Sequence, residues 1–281
     1  MISMSDTELL GRFETTMDNM QKMLRWASAP FDERYDQAYL NLAKDEIRTV
    51  ANAGQAVVAY CDFSKPFIQE VELHDEVDGE AGMQSIVKVP QTQNYLEFVG
   101  GEKVSVEFHG IPGEDNKADK MVLDGDLRAE IYLPSSDSDY ESKQLQVVNV
   151  YDEDNQWIKS NGEPLETSFR TRVKEFNRII NIVEFDSFAL SNYPVVVKDG
   201  DFLLDAADEN DRDSVRGELY AEDVEGPDVN NSYSRGFEEL FGNIGGEVEV
   251  DVEDGGPISI VRESNDDALT LRYSVLPAVD S

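Results

Sequence analysis

Four cations crowd into nine residues: Arg170, Arg172, Lys174 and Arg178. The chain has 281 residues with only 24 Lys and Arg against 59 Asp and Glu, so an even spread would put about 0.8 of a cation there. Guanidinium and ammonium groups in such an array make charge-assisted hydrogen bonds to phosphate oxygens, with Arg offering a planar fork and Lys a point charge. The chemistry is therefore polyanion binding. Val173, Phe176, Ile180 and Val183 follow Ser168-Phe169 at three- and four-residue steps, which predicts an amphipathic helix. Lys174 and Arg178 are four apart on another face of that helix, with Arg170 and Arg172 at its entrance, so the island reads as a single helical one.

Other reactive constellations are missing. With only His74 and His109, a histidine-rich metal site or a Ser–His triad lacks its parts. Neither GxxxxGK[ST] nor GxGxxG occurs, so nucleotide phosphates have no glycine cradle. The acidic run Asp205 to Asp213 lacks the glycine and the closing glutamate of a calcium-binding EF-hand loop. Cys61, the only cysteine, sits between Tyr60 and Asp62, where an acidic neighbour does not activate a thiolate, and it has no partner for an intrachain disulfide. No cofactor and no metal are expected.

The formal charge of −35 exceeds what solubility requires, and it sets a physical problem. Self-repulsion of that size destabilises a compact chain in dilute salt, whereas near 1 M salt the Debye length shrinks to about 3 Å. The composition points to a protein adapted to molar salt, in the cytoplasm of an extreme halophile or a virus replicating there. Disorder is the bland reading of an acidic chain, but 40% hydrophobic residues with 13 Phe and 11 Tyr supply a core. Residues 1–12 carry no signal-peptide core and no run approaches eighteen apolar residues, so a cytosolic location is expected.

The chain repeats itself. Tyr95 to Glu107 (YLEFVGGEKVSVE) and Leu240 to Glu253 (LFGNIGGEVEVDVE) share an aromatic segment, Gly-Gly-Glu and strict alternation. Further on, Met121 to Pro134 and Ile258 to Pro277 each read as paired strands ending in Leu-Pro. The offset is 145 residues at the Gly-Gly pairs and 143 at the prolines. Met17, Met20, Leu24 and Ala27 form an apolar stripe early in the first half, as the Val173 stripe does in the second. The expectation is α+β, with two domains of one design at 1–134 and 166–281, joined by a polar connector at 135–165 that holds Leu145, Val147, Val148, Val150 and Trp157.

With the duplication in view, several strings resemble the DNA sliding clamps of the proliferating cell nuclear antigen type, haloarchaeal ones in particular. Ala38 to Val50 (AYLNLAKDEIRTV) resembles the family's early hairpin. Ile86 to Pro90 (IVKVP), followed by Tyr95 to Phe98 (YLEF), resembles its strand and second inner helix, and Leu271 to Val279 (LRYSVLPAV) its last strand and tail. The connector is longer than the family's, the N-terminus is extended, and Leu276-Pro277 stands where the family has Leu-Ala-Pro.

The resemblance implies a ring of three identical two-domain subunits around duplex DNA, with helices inside and antiparallel sheets outside. It implies a processivity factor, without enzymatic activity, that tethers a polymerase, has a clamp loader among its partners and takes no cofactor. DNA-facing cations are then Lys22, Arg25, Arg170, Arg172, Lys174, Arg178 and Arg235. Subunits are expected to join through Leu127 to Leu133 and Ser214 to Tyr220, with Ala129, Ile131, Leu133, Val215, Glu218 and Tyr220 at the joint. Short docking peptides of replication proteins are expected near Val50, Val57, Val147, Val148, Val150, Leu276, Pro277 and Ala278. Two other classes compete: a carboxylate-based metal-dependent nuclease or hydrolase, and a halophilic virion or scaffold protein.

Dialysis into low salt is expected to unfold the chain, seen as loss of its far-ultraviolet circular dichroism. An unchanged spectrum overturns the salt adaptation.

Overall fold

The computed structural model describes residues 7–27, 37–53, 57–111, 116–134, 164–183, 193–207, 214–233, 245–263, 269–275 and 277. Contacts divide the chain into two compact units. One comprises Met1–Asn52, Ala59–Leu145 and Glu263–Leu271, the other Ala53–Val58, Gln146–Arg262 and Arg272–Ser281.

The first half runs β1 (Glu8–Thr16), α1 (Met17–Ala27), β2 (Gln37–Leu42), β3 (Ile47–Ala53), β4 (Val57–Phe63), β5 (Gln69–Leu73), β6 (Met83–Lys88), α2 (Val89–Val99), β7 (Lys103–Gly110), β8 (Ala118–Asp124) and β9 (Arg128–Tyr132). The second runs β10 (Thr167–Arg172), α3 (Val173–Val183), β11 (Tyr193–Lys198), β12 (Asp201–Ala207), β13 (Ser214–Leu219), β14 (Ala221–Glu225), β15 (Val229–Tyr233), β16 (Glu247–Val252), β17 (Ile258–Glu263) and β18 (Leu269–Val275). The aromatic segment that opens the second repeat, ahead of its Gly-Gly pair, falls within 234–244, outside the described residues.

Strand order repeats between the halves. Hydrogen-bonded neighbours run β5-β1-β7-β8-β9 in the first and β14-β10-β16-β17-β18 in the second. The remaining strands run β4-β3-β2-β6 and β13-β12-β11-β15. The repetition extends to register: Phe13 lies opposite Val106 and Thr15 opposite Val104, while Phe169 lies opposite Val250 and Thr171 opposite Val248. Both threonines are buried, and their hydroxyls donate to the carbonyls of Phe67 and Tyr220, each just ahead of the neighbouring edge strand. The Gly-Gly corners have one further use. Gly100 and Gly101 adopt φ of 64° and 99° and Gly246 of 92°, a left-handed region that side chains resist. The carbonyls that follow at Glu102 and Gly246 accept the first helical N–H groups, from Met17 and Val173.

Aromatic packing closes each core. Phe13 stacks with Phe108, and Trp26 gathers Phe63 and Phe67 beneath α1. In the second unit Phe202 of β12 meets Phe169 of β10 and Phe176 of α3 at 5.0 and 5.4 Å between ring centres. The α1 stripe is Met20, Met23, Leu24 and Ala27, with Met17 only half-buried at the first helical position. Thr16 caps that helix by accepting the N–H of Asn19.

One carboxylate is placed against its own charge. Asp251 on β16 lies between Ser168 and the buried Ser259; burial, then the neighbouring Glu249, pushes its carboxyl up to about 6, partly offset by Arg272. Its folded pKa lies above the unfolded one, so its contribution is fully present below about pH 4 and is lost as pH rises through about 6. Asp251→Asn is expected to raise stability at pH 7.5 by on the order of 2–3 kcal/mol and to change it little at pH 4. Thermal unfolding in molar salt at the two pH values measures this.

Candidate nucleic-acid interface

The four-cation island divides between two elements. Arg170 and Arg172 are on strand β10, not on the helix, because Phe169 and Thr171 alternate inward with period two and turn the arginines to the opposite face. That face is strongly acidic. Arg170 lies between Glu222 and Glu249 of the flanking strands and pairs with Asp223, while Arg172 pairs with Glu247 at 3.3 Å and covers the Tyr220 ring at 4.3 Å. Hydrogen bonds to Asp223 and Glu247 raise the already high pKa of both guanidinium groups.

Lys174 and Arg178 do share a helix face. On α3 the exposed positions are Lys174, Asn177, Arg178 and Asn181; Val173, Phe176, Ile179, Ile180 and Val183 are buried. The one carboxylate of this helix is turned inward. Glu175 is 3% exposed, accepts the Arg178 guanidinium at 2.8 Å and the Tyr220 backbone N–H at 3.3 Å, and has Lys174 at 4.0 Å. It anchors Arg178 while leaving that side chain more than half exposed.

In the first unit α1 packs beside α2, and Asp18, Gln21, Lys22, Arg25, Gln93 and Glu97 line an open groove between them. Lys22 is paired with Asp18 at 2.6 Å, and Arg25 is exposed. The helix surfaces are poor in acid. The three described helices hold four Lys and Arg against three Asp and Glu, one of them the buried Glu175, whereas the remaining 248 residues hold 20 against 56. Seven Asn and Gln side chains stand on these helices, able to donate to phosphate without carrying charge.

The expected joint segments lie at sheet margins. Strand β9 is hydrogen-bonded on one side to β8, and β13 on one side to β12, and each ends its strand order. Ala129, Ile131 and Leu133 are buried. On β13, Val215 is half-buried and Glu218 exposed, on opposite faces, and Tyr220 lies beyond the strand end. The inward alternation of β13 runs through Val215, Gly217 and Leu219. Three large apolar side chains beyond the expected site residues, Phe98 of α2, Leu127 just ahead of β9 and Tyr132 at its end, are 60, 52 and 63% exposed. Phe98 had a legible signal, since it falls off the Val89, Thr92, Leu96 and Val99 stripe of α2.

Of the expected docking residues, Val50 is buried opposite Tyr39, Val57 begins β4, and Pro277 is half-buried. Val147, Val148, Val150, Leu276, Ala278 and the cation Arg235 lie outside the described residues. Among the described residues no group of three or more His, Cys, Asp or Glu is arranged to hold a metal ion. No helix there is long and apolar enough to cross a membrane.

Glu175→Ala is expected to destabilise the chain by about 1–3 kcal/mol by orphaning the Tyr220 N–H, and Glu175→Gln, which keeps an acceptor, by less. Denaturant unfolding in molar salt compares them; equal stabilities show that the N–H is satisfied otherwise.

No family model matches the sequence, and no curated protein sequence does. Solved structures do. The PCNA of A. fulgidus, seen with the C-terminal region of FEN-1 bound, aligns with a TM-score of 0.67 at 11% identity, over 97% of this chain and 100% of that one. The PCNA of Thermococcus kodakaraensis gives 0.64 at 12%, over 95% and 100%. The DNA polymerase III beta subunit of Thermotoga maritima gives 0.67 at 16%, over 99% of this chain and 68% of that one. The chain has the two-domain fold of the sliding clamps.

Proposed function

We propose that this chain is a DNA polymerase processivity factor: three copies close into a ring around duplex DNA and hold replication proteins there without catalysing a reaction. The observation that carries this reading is the charge contrast on a clamp fold. In a chain of −35, the three described helices are together close to neutral, and α3 presents Lys174, Asn177, Arg178 and Asn181 with its only acid buried. Phosphate contacts of this kind carry no sequence information, as sliding requires. Arg170 and Arg172, ion-paired on an acidic strand face, serve instead to offset the carboxylates around them.

The lining is thin, with Lys22, Arg25, Lys174 and Arg178 as its described cations. Binding driven by counterion release weakens steeply with salt, so in a molar-salt cytoplasm retention rests on encirclement. That setting is a halophilic archaeon or a virus within one. Polymerase, clamp loader and other replication proteins are proposed to dock short peptides carrying an aliphatic residue and paired aromatics. Hydrophobic burial survives salt that erases charge steering. Because Val50 is buried, the docking surface rests on Val147, Val148 and Val150 of the connector and on Leu276, Pro277 and Ala278 of the tail.

In high salt the solution mass is expected to be that of three chains. Protein loaded on circular duplex is expected to dissociate when the circle is cut and to remain when it is intact. Lys174→Glu with Arg178→Glu is expected to lower retention on the circle, while Arg170→Ala with Arg172→Ala leaves it unchanged. Equal loss from cut and intact circles overturns encirclement.

A further inference from the structure

We propose that α1 and α3 each carry a built-in counter-charge, Asp18 against Lys22 and Glu175 against Arg178, that limits how tightly the helix holds phosphate. The inference rests on the processivity reading above and specifies the strength of the contact it leaves open. Lys174 and Arg178 bring two positive charges to the surface of α3, and Glu175, 4.0 Å from one and 2.8 Å from the other, cancels one of them. A phosphate that approaches Arg178 meets this carboxylate just behind the guanidinium, and like charges at such range repel.

The fold explains why Glu175 cannot turn away into solvent. In the first half residues 64–68 join β4 to β5, and within that loop the Ser64 carbonyl accepts the Phe67 N–H at 2.8 Å. In the second half Tyr220 alone joins β13 to β14, and a one-residue corner has no room for such an acceptor. Glu175 supplies it from α3 at 3.3 Å, while the Thr171 hydroxyl donates to the Tyr220 carbonyl. An N–H drawn from water and left without an acceptor is costly, so the corner fixes the carboxylate where it faces Arg178.

The duplication gives an independent observation. Lys22 and Arg178 are each the sixth residue of their helix, and each is held by a carboxylate of that same helix. The acids are not equivalent. Asp18 is the second residue of α1 and reaches Lys22 at 2.6 Å, whereas the second residue of α3 is Lys174 and the acid is the third. The pairing of the cation is repeated although the position of its partner is not. Weak contacts of this kind allow sliding and leave retention to encirclement.

Binding to a short linear duplex, followed by fluorescence anisotropy from the lowest salt that keeps the chain folded, tests the counter-charge. Glu175→Gln keeps an acceptor for Tyr220 and removes the charge. It is expected to tighten binding roughly three- to tenfold. It is also expected to steepen the fall of log K with log salt by about 0.9. Arg178→Gln is expected to cost the Glu175→Gln variant more affinity than it costs the parent, a coupling that a purely structural role for Glu175 does not produce. Asp18→Asn, at an exposed carboxylate, is expected to tighten binding through Lys22 in the same sense. Unchanged or weaker binding by folded Glu175→Gln overturns the proposal; where that variant does not fold, unchanged or weaker binding by Asp18→Asn does so. Either result leaves the processivity reading standing if the parent is retained on intact circles and lost from cut ones. A parent retained on neither overturns both.

Discussion

Self-repulsion among 59 carboxylates governs where the remaining groups stand. A compact body with a net charge of −35 needs salt to screen it, and it also needs a rule for placing its few cations. Here two placements serve different ends. Arg170, Arg172, Arg128 and Arg216 lie on strands and offset the carboxylates that the pleat sets opposite them. Lys174 and Arg178 lie on a helix whose only acid, Glu175, is folded inward beside them, and both side chains remain more than half exposed.

The burial of Glu175 links these two placements. A carboxylate 3% exposed is costly unless its lone pairs are filled, and here Arg178 and the Tyr220 N–H fill them. Tyr220 follows the end of β13, and its ring and carbonyl also receive Arg172 and the Thr171 hydroxyl. Helix α3 and the marginal strand are thus tied at one residue. The cation that faces outward from the helix is held by the same carboxylate that holds the end of the strand.

Each half repeats the same strand orders, and β9 and β13 each end theirs. On β9 the outward face is charged and the flanks are apolar, with Leu127 and Tyr132 at its two ends.

Helices, strands and the repeat were legible in the residues because period 3.6 and period 2 are local properties of the chain. Met20, Leu24, Phe176 and Ile180 announced their faces, and Val104, Val106, Val248 and Val250 announced theirs. The acid load and the cluster of four cations were equally plain. What the residues could not settle was which cations share a surface, because Arg172 ends a strand and Val173 begins a helix, and a change of period there turns neighbours to different faces. Only the packed structure placed Glu175 inside, left Phe98 outside, and put Glu247, Glu249 and Asp223 beside the two arginines of β10. Those juxtapositions come from strands 50 to 80 residues away in the chain, and no local pattern carries information over that distance.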